Sequence, residues 1–315
     1  MIDWSSTALV FPGQGSQQVG MGADLVQQYP AARQVFEEAD HILGFALSNI
    51  CFEGPAESLD ETSNTQPALY VIGVAVLRVL EAQFGALTPI AAAGHSLGEF
   101  TALTAAGALP FSQGVALVRE RGRLMKEAGE QSKGAMAALL GPDLTDVQII
   151  CEQASTQIGQ PVVVANDNCP GQIVISGDEA AVECALTLAK AHGAKRAVRL
   201  AVSVAAHSPL MAHAAQAFHH VLIRTTFETP RFPVIGNVNA TPLRSSEDIY
   251  TELNAQLTSS VQWTRSVQAL LGLGTKTFIE LGAKDVLTGL LRRIDRSANG
   301  VAVNNPETVA GLLAL

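Results

Sequence analysis

Ala91-Ala92-Ala93-Gly94-His95-Ser96-Leu97-Gly98-Glu99-Phe100-Thr101-Ala102-Leu103 is the stretch that decides the fold. A small apolar run stops at a glycine, a serine stands between two glycines, and a helix-forming run follows. That is the order of a strand, a sharp turn and a helix, the arrangement of a nucleophile elbow. The glycines keep Cβ atoms out of the turn, so the Ser96 hydroxyl stands clear at its tip. The Leu97 N–H would face an oxyanion formed there, and the helix N-terminus adds partial positive charge. G-x-S-x-G alone recurs by chance, so its surroundings must decide between a nucleophile and a plain strand-to-helix turn.

Working outward, Thr7–Gln17 (TALVFPGQGSQ) reads as a short buried strand entering a glycine-rich loop. A helix is expected around Asp24–Ala39. Thr65–Phe84 has the apolar density of a buried helix, with Pro67 suited to its first turn. Pro89–Ser96 is the second strand, and the helix after the elbow should run from about Leu97 to Ala106. Alternation of this kind predicts α/β architecture, a parallel sheet with helices on both faces.

From Gly134 to Val202 the rhythm changes. A strand (Gly134–Gly141) and a helix (Leu144–Thr156) come first. Two strands follow, Pro161–Asp167 and Gln172–Gly177, separated by the turn residues Asn168-Cys169-Pro170-Gly171. A second helix (Glu179–Gly193, with Gly193 as its stop) and a strand (Lys195–Val202) complete a βαββαβ order, the ferredoxin-like unit. The predicted division is a core formed by residues 1–133 and 203–315, with an inserted subdomain at 134–202 and the core resuming near Ala205.

The chain has 315 residues, of which 48% are hydrophobic and 16% charged, enough to bury a sizeable core. Twenty basic against 29 acidic residues give a net charge of −9, which argues against nucleic acid as a partner. The longest apolar run stops at Arg78, short of the about 18 residues a membrane span needs. MIDWSS at the start carries an acid where a signal peptide carries a base. The expectation is a cytoplasmic protein without a membrane association. Cys51, Cys151, Cys169 and Cys184 show no metal spacing and read as reduced thiols. No metal is expected.

A serine nucleophile needs a base. Of seven histidines, His207 stands best, at a strand end before Ser208-Pro209. His95 reads as packing into the elbow, and His213, His219 and His220 as helix-surface residues. Asp167 and Asp178 are the candidate acids between serine and histidine in chain order, both inside the predicted insertion. The Phe11–Gln17 loop lacks the Lys-Ser/Thr ending of a phosphate loop, so its suitable role is a donor, from the backbone or from Gln14, near the serine. Arg121, on a predicted helix, offers a fork suited to a carboxylate, although Glu120 and Glu127 stand near it in sequence.

Taken together, FPGQGSQ, TQPAL, GHSLGE, Arg121-Gly122, the N-x-N-x-P-G-Q-x-V-I-S-G segment from Asn166 to Gly177, V-S-V-x-x-H-S-x-L-M around His207 and V-Q-W at Val261–Trp263 resemble the malonyl-CoA:acyl carrier protein transacylases. The likeness runs in order from Val10 to about Leu291. It implies an α/β-hydrolase-like core with a ferredoxin-like insertion. It implies transfer of malonyl from malonyl-CoA to the phosphopantetheine thiol of acyl carrier protein, through a malonyl-serine, in fatty acid synthesis. The residue roles it carries are Ser96 as nucleophile, His207 as base, Gln14 and Leu97 as backbone oxyanion donors, and Arg121 as the holder of the malonate carboxylate. Gln256 would orient His207 through a carbonyl, and Asn166 and Asn168 would stand beside the mouth. No permanent cofactor is implied, and a monomer is.

Three departures from the family pattern stand out. Ala205-Ala206 precede the histidine where relatives carry proline or phenylalanine, which predicts a roomier pocket open to methylmalonyl. Ser259-Ser260 replace a proline before V-Q-W, and Gly282-Ala283-Lys284 replace Gly-Pro-Gly. Two basic clusters, Lys195/Arg196/Arg199 and Arg292/Arg293/Arg296, are candidates for docking an acidic carrier. The rival readings are an acyltransferase of a polyketide or malonate decarboxylase system, a thioester hydrolase, and a carrier-binding scaffold without activity.

Overall fold

The structure is a computed structural model that describes residues 2–202 and 204–314. The expected division therefore meets residues outside the described set at 1, 203 and 315. The strands are β1 (Thr7–Phe11), β2 (Ala91–Gly94), β3 (Gly134–Leu140), β4 (Val162–Cys169), β5 (Gln172–Asp178), β6 (Arg196–Arg199), β7 (Val234–Ile235), β8 (Pro242–Leu243), β9 (Thr277–Leu281) and β10 (Asn299–Val303). They form two sheets. The larger has the order β10-β9-β1-β2-β7-β8, parallel except for the β7–β8 hairpin at its edge. Every residue of β1 and β2 is buried, because helices cover both faces.

The second sheet is antiparallel, with the order β4-β5-β3-β6. Helices Leu144–Ile158 and Glu179–Ala191 pack on it around Val147, Ile150, Ile173 and Ile175. This is the ferredoxin-like unit beside an α/β-hydrolase-like core.

Local chemistry explains where elements differ from expectation. The first expected helix is two, Ala23–Gln28 and Pro30–Leu43, because Pro30 cannot continue the helix before it and starts the next at its first position. The apolar helix spans Thr62–Phe84, so Pro67 lies inside it rather than in its first turn. Pro67 has no N–H for the Ser63 carbonyl, and Arg119 Nη1 donates to that oxygen instead, at 2.5 Å. By length and composition this helix could cross a bilayer, but 72% of its most apolar window is buried inside the protein. Strand β4 continues through Cys169, leaving Pro170-Gly171 as the turn, with Gly171 at φ +70°. The last strand of the unit is only Arg196–Arg199.

Candidate active site

β1 and β2 run side by side in the middle of the sheet, with Phe11 opposite Gly94, so the loops that follow them leave from the same edge. The His95 N–H bonds the Phe11 carbonyl at 2.9 Å. Space is the reason for the glycines here. A Cβ on Gly94 would meet the Gly98 carbonyl carbon at 1.9 Å, and one on Gly98 would meet the Phe11 oxygen at 2.0 Å. Ser96 sits at φ +51°, a left-handed conformation that serine rarely takes. The helix Gly98–Ala105 begins just behind it.

The Ser96 hydroxyl is 2.8 Å from His207 Nε2. His207 is buried and also left-handed, at φ +60°. Its Nδ1 faces two backbone carbonyls, Gln256 O and Ser259 O, each at 3.0 Å. Both can only accept, so Nδ1 carries the proton and Nε2 presents its lone pair to Ser96. Among the described residues no carboxylate takes part. Asp167 accepts from the Thr264 hydroxyl, and Asp178 caps the helix Glu179–Ala191, so the structure brings neither candidate acid to His207. Ser259 reaches the histidine through its carbonyl. Burial, and then the charge of Arg121, lowers the imidazole to about 3; the two carbonyls oppose this.

Arg121 is fully buried. Its Nη2 donates to Ser96 Oγ at 3.2 Å and to Gln256 Oε1 at 2.9 Å, and its Nη1 donates to Gln66 Oε1. The guanidinium stands 5.5 Å from the centre of the Phe100 ring. None of the ion pairs among the described residues includes it, and its Nε has no partner. Glu99 is linked to it through the Gln256 side chain. Gln256 Nε2 donates to Glu99 Oε2 at 2.7 Å and to the Ser96 carbonyl at 3.0 Å. Burial lowers Arg121 to about 10, which leaves it charged at neutral pH, and pushes Glu99 well upward, with nearby Glu252 adding to the push.

The cavity beside Ser96 holds about 250 Å³ and lies between the two sheets. Gly13, Gln14, His95 and His207 line its base, Met136 and Val174 come from the small sheet, and Leu287 and Leu290 from the helix Val286–Ile294. The backbone N–H groups of Gln14 and Leu97 have no partner among the described residues. Gln66 Nε2 donates to the Gln14 side chain at 3.1 Å. Asn166 lines the cavity, and Asn168 Oδ1 pairs with His95 Nε2 at 2.8 Å. His95 lies against Trp263, and burial lowers its pKa.

Of the alanine pair, only Ala206 lines the cavity. Ala205 is buried against Gly134, whose Cβ, were there one, would come within 2.6 Å of it. Of the two, Ala206 alone is placed to bear on the size of the pocket.

Asn237 was not among the sequence candidates. It is fully buried, its Oδ1 accepts from the Ser96 N–H at 2.6 Å and its Nδ2 donates to the Gly94 carbonyl at 2.7 Å. The one signal for it was a polar residue following the apolar pair Val234-Ile235 after a single glycine, Gly236. Among the described residues no cluster of three or more His, Cys, Asp and Glu could hold a metal.

Residues 8–314 match the family described as "Acyl transferase domain". The malonyl CoA-acyl carrier protein transacylase of Bacillus subtilis is 46% identical over 97% of this chain and 95% of its own. A solved malonyl-CoA:acyl carrier protein transacylase from Xanthomonas oryzae pv. oryzae superposes with a TM-score of 0.95 at 45% identity, covering 100% of this chain and 99% of that one. A type II PKS acyl-carrier protein in complex with its malonyl-transacylase matches with a TM-score of 0.94 at 42% identity, covering 98% of this chain and 99% of that one. A nucleophile elbow facing a histidine and a buried arginine, on a chain alike from end to end, gives one conclusion: this protein belongs to the acyltransferase family of the malonyl CoA-acyl carrier protein transacylases.

Proposed function

We propose that this protein moves the malonyl group from malonyl-CoA to the phosphopantetheine thiol of acyl carrier protein, by way of an ester on Ser96, in fatty acid synthesis. One observation carries the reading: the Ser96 hydroxyl lies 2.8 Å from His207 Nε2 and 3.2 Å from Nη2 of a buried arginine that has no carboxylate partner among the described residues.

In the first half-reaction Ser96 Oγ attacks the thioester carbonyl while His207 Nε2 takes its proton. The Gln14 and Leu97 N–H groups receive the oxyanion. The malonyl carboxylate pairs with Arg121. Collapse breaks the C–S bond, and the proton on His207 passes to the departing CoA sulfur. In the second half-reaction His207 takes the proton of the carrier thiol, sulfur attacks the Ser96 ester, and Ser96 recovers its proton as the malonyl thioester leaves. The side chain of Gln256 holds Arg121 while its backbone carbonyl orients His207. Asn168 fixes His95 at the wall, and the Asn166 amide suits the amides of a pantetheine arm. No permanent cofactor enters the cycle.

We assign residues 1–133 and 203–315 to the core and 134–202 to the inserted subdomain, so that the insertion forms one wall of the cavity. The protein acts as a cytoplasmic monomer in this reading. Brief exposure to malonyl-CoA followed by intact mass and peptide mapping is the test. A malonyl ester on Ser96 that carrier protein discharges supports the proposal, and Ser96→Ala should show none. Free CoA accumulating without an adduct would make the protein a hydrolase instead.

Of the two basic clusters, the one at Arg292, Arg293 and Arg296 suits carrier docking better. Arg199 of the other is already paired with Glu179 and Glu183. Arg293 reaches Gln172 Oε1 and the Pro170 carbonyl, and Gln172 lines the cavity. Transfer to carrier protein should therefore lose about tenfold in kcat/KM between low and high salt, while transfer to a short thiol stays nearly constant. Stopped-flow rates with both acceptors check this, and equal salt dependence would remove the docking role.

A further inference from the structure

Ser96 holds a left-handed backbone conformation at φ +51°. For a residue other than glycine this state is unfavourable and persists only where its surroundings impose it. Around Ser96 the imposing group is the amide of Asn237, which grips the elbow on both sides of the bend. It takes the N–H of Ser96 at 2.6 Å and gives an N–H to the carbonyl of Gly94 at 2.7 Å. Only one orientation of the amide satisfies both bonds, since one partner can only donate and the other only accept.

Asn237 is itself held firmly. Its carbonyl accepts from the Gln262 N–H at 2.9 Å. Next to it, the Val238 N–H donates to Glu252 at 2.7 Å, and the Gly236 carbonyl accepts from the Ser266 hydroxyl at 3.2 Å. Glu252, Gln262 and Ser266 flank the stretch, Gln256 to Ser259, whose carbonyls hold His207 Nδ1. Nucleophile and base are thus tied to one short part of the chain. One side is tied through an asparagine side chain, the other through two backbone oxygens.

We infer that Asn237 is a positioning residue for the acyl transfer: its two hydrogen bonds fix the backbone of Ser96 so that the hydroxyl meets His207 Nε2. The inference rests on the proposed nucleophilic role of Ser96. It concerns the reach of the hydroxyl and not the affinity for malonyl-CoA, because Asn237 bonds the elbow's backbone and does not line the cavity.

The test uses the full chain and a fluorophosphonate probe, which needs the serine and its base but has no carboxylate for Arg121. Misplacing a reacting group by about 1 Å costs about 100-fold, so Asn237→Ala should lower both labelling of Ser96 and kcat for malonyl transfer by about that factor. KM for malonyl-CoA should change little. Asn237→Asp keeps the shape and adds a pH readout. Its protonated carboxyl can still donate to the Gly94 carbonyl, whereas the ionised form sets two acceptors against each other. Labelling of this variant should therefore approach wild type in acid and fall as the carboxyl ionises, a dependence wild type lacks. Equal labelling of wild type and Asn237→Ala, or an Asn237→Asp profile that overlies wild type, would overturn the inference. A wild-type Ser96 that the probe does not label would overturn the nucleophile assignment itself, and this inference with it.

Discussion

Arg121→Ala should lower malonyl transfer by about 100- to 1,000-fold while acetyl transfer holds steady or rises. Losing one partner of a buried charge pair costs about 2–5 kcal/mol, which sets the size of the drop. The sign for acetyl follows from the same geometry. Arg121 is fully buried, and the Glu99 carboxyl is linked to it only through the Gln256 side chain. An acetyl group leaves that guanidinium desolvated and without its carboxylate, so the native site rejects acetyl-CoA by neglect of a buried charge. Removing the guanidinium removes the penalty. Transfer rates from malonyl-CoA and acetyl-CoA to carrier protein, measured side by side, check both halves. An unchanged malonyl rate would strip Arg121 of its role.

His207→Ala should cost about 1,000-fold or more in kcat, within the range for removing a general base. The pH profile of the native protein carries more information. An ordinary histidine titrates near 6.5, but burial and the Arg121 charge lower His207 to about 3. The base therefore stays free in mild acid, and kcat/KM should remain flat from pH 8 to about 5 where an ordinary histidine would already be failing. The bound malonyl carboxylate offsets the charge of Arg121, so the acid limb of kcat should lie at higher pH than that of kcat/KM. Rates at saturating and at limiting malonyl-CoA across pH 4–8 separate the two. The same shift acts on folding. The unfolded histidine binds a proton that the folded one refuses, so this group's contribution to stability is present above about pH 6.5 and is lost progressively as the pH falls toward about 3.

How much the sequence revealed depended on whether the chemistry was local. The elbow was readable because strand, glycines, serine and helix follow one another within a dozen residues, and the βαββαβ rhythm because each of its elements has its own period. Strands β7 and β8 have two residues each, too few to show any alternation. They remained invisible, and Asn237 with them. Ala205 and Ala206 looked equivalent, yet the chain enters a turn at Ala206, and Ala205 packs on Gly134 while Ala206 lines the cavity. The partners of His207 Nδ1 are main-chain oxygens, which every residue possesses; the family likeness pointed to Gln256, but nothing local marked Ser259. The pairing of Gln256 with both Arg121 and Glu99 needed the packed core to bring three distant segments together.

That His207 leans on two carbonyls rather than on a carboxylate bears on the direction of flow. A fixed anion would favour the state in which the imidazole keeps its proton. Neutral oxygens leave that proton free to return to whichever sulfur or oxygen is leaving. CoA and the carrier arm then stand as equals before the acylated serine, each able to load it and each able to strip it. Which way the malonyl group travels is set outside the protein, by the relative abundance of the two thiols and by whatever consumes the loaded carrier. A rise in free CoA would draw malonyl back off the carrier through this same site.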